Sequence, residues 1–425
     1  MRLLICTLYF PPCAFTPANR IFSWAKYLNK FGIYPVIITR QWENKIDDKH
    51  YFEKATGTEL IIEKHPEYEV HFVPFPGNYR TRTLVKWGNS RNNFSRRIFT
   101  AVELLFRNKF TSLLPYRNLF SYSLEYLKNN KVDKVLISGS PFQLFKIGYL
   151  ATKRYKIPWI ADYRDGWTTD NYSEPAGFLT KPVHSINKYF QKKWLSNAAG
   201  FTTVSEFLRS GIENYIGIKG TVIYNGFYQE ADDPQPSVIE EKGITFLYSG
   251  IVYPKQDYRT VVMVFKKLID KYKNEINVKL VFLGTSFEND DFANDPVFNG
   301  YKNNILLTNR VNYAEALKVH EQADSFIMLS HSGMKGIVSS KIFDYIKYHR
   351  PVVLFTNDHD ILEEILVRSR LGIIADDAAS LEEKLDILIK QKLSKGSIEQ
   401  NPDREYIRSF SRENQAKKLA EMLKT

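Results

Sequence analysis

The stretch Asp324-Ser-Phe-Ile-Met-Leu-Ser330-His331-Ser-Gly-Met-Lys335-Gly336-Ile-Val-Ser-Ser340-Lys341-Ile-Phe-Asp344-Tyr-Ile-Lys347 holds the pattern that decides the fold. An apolar run of strand length, Ser325 to Leu329, passes through a polar loop with two glycines into a segment of helical spacing. A continuous apolar run fits a strand buried on both faces, as in a parallel sheet covered by helices. Ser339 or Ser340 is a candidate N-cap. Lys341 in the first helical turn is opposed by the helix dipole unless it meets an anion, which makes a diphosphate an attractive partner. Asp344, three residues on, shares that face and suits ribose hydroxyls.

The same alternation extends in both directions. Before this stretch, strands are expected at Ile244–Tyr248, Val278–Leu283 and Ile305–Leu307, and after it at Val352–Phe355. Residues 228–242 are polar with two prolines and read as a linker. The first half repeats the pattern. Strands are expected at Leu3–Tyr9, Val36–Thr39, Lys134–Ser138, Trp159–Ala161, Phe201–Val204 and Val222–Ile223, with a helix from Asn19 to Phe31 closed by Gly32. The fold class is therefore α/β, with two Rossmann-like doubly wound domains over 1–227 and 243–403, and a helical segment over 404–425. A chain of 425 residues exceeds what one core usually supports, in keeping with two domains. Ligands of open α/β sheets sit beyond the carboxyl ends of the strands, so the cleft between two such domains is the expected site.

Composition narrows the classes. Apolar content of 44% and charged content of 25% exclude a disordered chain. The opening apolar run meets Pro11-Pro12, unlike a secretory leader, and no run reaches the roughly 18 apolar residues of a membrane span. A cytoplasmic protein is expected. Cys6 and Cys13 cannot make a disulfide framework and read as structural thiols. The net charge of +12 is uneven: residues 1–225 carry 32 Lys+Arg against 17 Asp+Glu, and the remainder is slightly acidic. Within 80–117, Arg80, Arg82, Lys86, Arg91, Arg96, Arg97, Arg107, Lys109 and Arg117 face the single acid Glu103 and alternate with large apolar residues. That interleaving fits a peripheral contact with an anionic membrane on its inner face. Nucleic acid is not expected as a partner, because no recognition module accompanies the charge.

Three further constellations follow strands. Phe10 to Arg20 leads into a helix and offers backbone N–H groups and a cation, without the glycine fingerprint of dinucleotide binding. Asp162-Tyr-Arg164-Asp165-Gly-Trp167 places two carboxylates, a guanidinium and two rings at a sheet rim, where they suit a polyhydroxylated ligand. Asp358-His359-Asp360 has the D-x-D form of metal-dependent sugar transferases but precedes a helix, where Asp is an ordinary N-cap; no metal site is expected.

In order, Tyr9-Phe-Pro-Pro12 with Arg20, Ser138-Gly-Ser-Pro141, Asp162 to Trp167, Thr203-Val-Ser205, Ile223-Tyr-Asn-Gly-Phe227, Tyr248-Ser-Gly250, Ser340-Lys-Ile-Phe-Asp-Tyr345 and Arg350-Pro351 resemble the family 4 glycosyltransferases. The resemblance is nearest to the bacterial polysaccharide and lipopolysaccharide branch with a D-x-R-D-x-W loop. It implies a GT-B fold with an acceptor-binding first domain, a donor-binding second domain and a final helix crossing back to the first. It also implies metal-independent, retaining transfer from a nucleotide-diphosphate sugar to a lipid-linked or other glycan acceptor, without a cofactor. Lys341 matches the lysine on the donor diphosphate, and Asp344 the acid on the ribose. Lys255 falls near the second diphosphate cation, a slot Gln256 also fits. Gly250, Gly284 and Ser340 complete the implied donor site, with Asp162 near the reacting centre and Arg20, Arg164, Asp165 and Trp167 toward the acceptor. The sequence departs from the family at Gly336, where the first Glu of an E-x7-E pair is usual, and at Asp344, where the second is.

Overall fold

A computed structural model describes residues 1–13, 15–43, 51–88, 93–169, 180–229, 243–285, 290–309, 311, 313–331 and 333–425. The chain divides into two compact units, one of Met1–Tyr224 with Arg412–Thr425 and the other of Asn225–Ser411. Almost all of the expected linker, from residue 230 on, lies outside the described residues.

Unit 1 is built from strands β1 (Arg2–Cys6), β2 (Tyr34–Arg40), β3 (Ile61–Lys64), β4 (Glu69–Val73), β5 (Lys134–Ser138), β6 (Trp159–Tyr163), β7 (Gly200–Thr203) and β8 (Gly220–Val222). Their order is β3-β4-β2-β1-β5-β6-β7-β8, parallel throughout except for the antiparallel edge pair β3–β4. The helices are α1 (Thr16–Tyr27), α2 (Tyr79–Trp87), α3 (Asn93–Phe106), α4 (Arg117–Asn129), α5 (Phe145–Tyr155), α6 (Thr180–Leu195) and α7 (Glu206–Ile216). The first expected helix starts earlier than Asn19, because Pro17 sits in its first turn, and it tightens into a 3-10 turn over Leu28–Phe31 before Gly32 at φ +74° ends it. β1, flanked by β2 and β5, is buried from Leu3 to Cys6. Cys6 and Cys13 are both buried free thiols, and burial pushes Cys6 up to about 12.

Unit 2 contains β9 (Gly243–Ser249), β10 (Asn277–Leu283), β11 (Ile305–Leu307), β12 (Ser325–Leu329), β13 (Val352–Phe355) and β14 (Gly372–Ile374), in the all-parallel order β11-β10-β9-β12-β13-β14. Its helices are α8 (Tyr258–Tyr272), α9 (Asp290–Ala293), α10 (Tyr313–Glu321), α11 (Lys341–Ile346), α12 (Ile361–Ser369), α13 (Ala378–Lys395) and α14 (Arg404–Ser409). Where the sequence leads one to expect continuous helix from Arg404 to Leu423, a break at Phe410–Ser411 separates α14 from α15 (Arg412–Lys424), which belongs to unit 1. α15 packs on α1: Arg412 Nη1 donates to the Asn19 carbonyl, and Gln415 Oε1 accepts the Tyr224 N–H.

Each sheet has its own apolar core. Each also has a switch point, between β1 and β5 in unit 1 and between β9 and β12 in unit 2, where neighbouring strands send their connections opposite ways and leave a crevice at their carboxyl ends. No helix among the described residues is long and apolar enough to cross a membrane.

Candidate functional site

At the unit 2 switch point the chain leaves β9 through Gly250, at φ +85°. A Cβ there would lie 3.1 Å from Lys341 Cε, so the glycine leaves the passage open for the lysine side chain. Lys341 opens α11, and Tyr345 fastens that helix to the end of β9 by accepting the Ser249 N–H at 2.8 Å. Tyr345 in turn stacks on Phe326 of β12 at 4.6 Å. Lys341 Nζ donates to Tyr248 Oη at 2.5 Å and to the Ile251 carbonyl at 3.0 Å, and lies 4.0 Å from the Tyr248 ring centroid. Among the described residues it makes no ion pair. Burial alone pushes its pKa down to about 7.

Gln256 and Lys255 take different parts. Gln256 is buried and pins the loop after β9, accepting the Tyr253 N–H and donating to the Leu329 carbonyl at the end of β12. Lys255 is exposed. It lines a cavity of about 470 Å³ with Tyr253, Asp257, Tyr258, Arg259 and Phe292. His331, directly after β12, is half-buried with its ring 5.4 Å from that of Tyr253. Burial lowers its pKa first, and Lys341 and Lys255 lower it further. Two lysines and an imidazole thus share one region of the strand ends. Nothing in the sequence marks His331, which belongs to no motif.

Ser340 starts α11 in helical conformation and makes no side-chain cap; tight turns from the Ser339 and Ser340 carbonyls to Ile342 and Phe343 open the helix instead. Asp344 is half-buried on α11, three residues from Lys341. Gly284 ends β10 at φ +77° and donates its N–H to Thr308 Oγ1. Gly336, also at φ +77°, donates its N–H to Asp360 Oδ2. Asp358 accepts the N–H groups of Leu362 and Glu363, so it, rather than Asp360, caps α12. Both carboxylates of the D-x-D form are therefore engaged with backbone amides.

In unit 1, Asp162 at the end of β6 is fully buried and faces inward. Its oxygens accept from Arg20 at 2.9 Å, Ser138 Oγ at 3.0 Å and Thr202 Oγ1 at 2.8 Å. Arg20, itself buried, also donates to the Ile223 carbonyl at 2.7 Å and lies over Trp24. This cluster ties β5, β6, β7, α1 and the segment after β8 together, with both Arg20 and Asp162 buried inside it. Trp167 is likewise a core residue, sandwiched between Phe142 and Trp194 at 5.2 and 5.7 Å. The exposed part of the loop is Asp165, with Arg164 beside it 5.2 Å from the Tyr9 ring centroid.

No family model matches the sequence, and no curated protein matches it. Solved structures do. The chain aligns over 100% of its length with 98% of sucrose-phosphate synthase from Thermosynechococcus elongatus, at 12% identity and a TM-score of 0.64. It aligns over 100% with all of HepE from Anabaena, solved in complex with UDP, at 11% identity and a TM-score of 0.61. Over 100% it also aligns with 99% of UDP-GlcNAc 2-epimerase from Methanocaldococcus jannaschii, at 13% identity and a TM-score of 0.51. At these identities the likeness establishes the fold, which is GT-B, and leaves activity to be argued from the site.

Proposed function

We propose that the chain is a glycosyltransferase that moves a sugar from a nucleotide-diphosphate donor, held by unit 2, to a glycan acceptor carried on a membrane lipid. The observation that carries this reading is Lys341, a desolvated lysine that has no anionic partner among the described residues, at the switch point of an all-parallel sheet. A diphosphate supplies the missing charge. Lys341 and Lys255 then offset the charge that develops on the leaving diphosphate, the kind of interaction that is usually the largest single catalytic contribution. Gly250 keeps the approach open, Asp344 meets the ribose, and Ser340 and Gly284 border the nucleotide. The resemblance to family 4 favours metal-independent transfer with retention. UDP bound to the similarly folded Anabaena protein supports a uridine nucleotide as the first to test.

On the acceptor side, Arg164 and Asp165 are the groups that meet the glycan. Arg20, Asp162 and Trp167 are positioning residues that hold the loop carrying them. The basic segment 80–117 brings the chain to the inner face of a membrane where such an acceptor is held; Arg91 of that segment lies outside the described residues.

A thermal-shift screen over UDP, GDP, dTDP, ADP and CMP identifies the nucleotide, since a ligand of the native state raises its apparent stability. Stabilisation by a nucleoside diphosphate that disappears in Lys341→Met is the expected result, and equal stabilisation of the variant overturns the donor assignment. The likeness to the archaeal epimerase favours one rival reading. Conversion of a free nucleotide sugar to its epimer without acceptor would establish it. A second rival, an inert assembly partner, is motivated by Gly336 and predicts no nucleotide release from any donor.

A further inference from the structure

Three helices of unit 1 share an unusual charge pattern. α5 and α6 contain no carboxylate, and α3 contains only Glu103. Glu103 is buried and occupied by Asn78 Nδ2 at 2.9 Å and Arg80 Nε at 3.3 Å. The helices are joined into one surface. Asn108, just beyond α3, donates to Asn187 of α6 and accepts from Gln143, which leads into α5. Lys146 of α5 donates to the Lys109 carbonyl at 2.9 Å. Arg154 of α5 and Lys193 of α6 are both close enough to act on the Lys146 ammonium. None of Arg97, Lys109, Lys146, Arg154 and Lys193 forms an ion pair among the described residues.

The apolar side of α3 points outward. Phe94, Ile98, Val102 and Phe106 recur every fourth residue, Phe110 follows at the same spacing, and all five are 37–79% exposed. A spacing of four keeps the four α3 residues on one side of the helix, and Phe110 lies beyond its end. On α6, Tyr189 is also exposed, with Lys193 Nζ 5.5 Å from its ring centroid.

We propose that α3, α5 and α6 form a docking face for an anionic lipid bilayer, with the α3 stripe entering the acyl layer and the cations of α5 and α6 lying at the lipid phosphates. This deepens the membrane element of the function proposed above and rests on it. It also extends the contact beyond segment 80–117 to residues that the sequence leaves unmarked. The occupant follows from complementarity. A bilayer offers apolar depth and negative charge side by side. A second copy of this face brings like charge against like, and nucleic acid has no layer to receive five apolar side chains.

The test is flotation of the full chain with phosphatidylcholine vesicles, with and without phosphatidylglycerol, at low and high salt and without nucleotide or acceptor. Because no turnover or nucleotide binding is measured, its failure leaves the donor assignment standing and is told apart from a failure of the transferase reading, which the nucleotide assays register. Binding that requires phosphatidylglycerol and weakens with salt is expected. Arg154→Gln with Lys193→Gln should weaken it more than tenfold, at about fivefold per charge. Ile98→Ser with Phe106→Ser should weaken it about tenfold or more while keeping its salt dependence. Circular-dichroism melting checks that each pair is folded. Absent binding, or binding that neither pair alters, overturns the proposal. Self-association without lipid that the same substitutions abolish also overturns it, and assigns the face to a second copy.

Discussion

Lys341 is buried and makes no ion pair among the described residues, a condition that the diphosphate proposed above would relieve. Its pKa, pushed by burial to about 7, lies below the ordinary lysine value. Between those values the native chain binds fewer protons than the unfolded chain, so the ligand-free protein should gain stability as pH rises through that window. Lys341→Met should flatten that slope, a change read by urea unfolding at a series of pH values. Binding of a diphosphate requires the protonated amine, so UDP affinity measured by calorimetry should fall by up to about tenfold per pH unit above 7. The variant should also lose roughly 100- to 1000-fold in kcat, the usual cost of deleting one donor to developing charge. The place of Lys341 was legible in the sequence, because a lysine at a helix start after a buried strand is conspicuous, whereas its burial was not. His331 was not, since its place beside Lys341 and Lys255 depends on two loops from different strands meeting.

At the scale of elements, the loop between β12 and α11 sets what can stand at position 336. Gly336 occupies a left-handed backbone conformation and is tied to Asp360. A side chain there costs roughly 1–2 kcal/mol. Gly336→Glu should therefore destabilise the chain by about that much and lower turnover rather than raise it, as unfolding and nucleotide-release assays would show. The loop after β6 has a comparable constraint. Asp162→Ala would strand the buried Arg20 guanidinium, at a cost of about 3–5 kcal/mol in urea unfolding. The polar density of Asp162 to Trp167 was visible beforehand, but the direction of its side chains was not: a carboxylate facing Arg20 and one facing solvent read alike in sequence. Strand recognition failed for related reasons. β3 is an exposed edge, and β4 hides its apolar pattern behind Glu69 and His71, which satisfy each other at 2.7 Å. β14 opens on Gly372, which leaves only Ile373 and Ile374 as its apolar run. β5, β11, β12 and β13 were read to the residue because their runs are short, apolar and bounded by polar loops.

For the whole molecule, the alternation of strand and helix was enough to give two doubly wound units, and the uneven charge pointed to the first of them. What the sequence could not supply was the company that the basic segment keeps, since α5 and α6 join it only through tertiary packing. Nucleotide binding should act on the second unit: hydrogen exchange with UDP should slow across residues 248–257 and 329–345, where the switch-point groups lie. Unchanged exchange there would remove the nucleotide from this region.

Unit 1 is not contiguous in the chain, and that imposes a timetable on its making. A ribosome releases all of Asn225–Ser411 before it delivers α15, so the N-terminal sheet must wait, with the α15-facing side of α1 uncovered, until Arg412 can reach Asn19. During that interval the nascent chain shows apolar surface of the sort chaperones hold. A polypeptide ended at Ser411 would remain in that condition permanently, and partial proteolysis should find its first unit far more readily than its second.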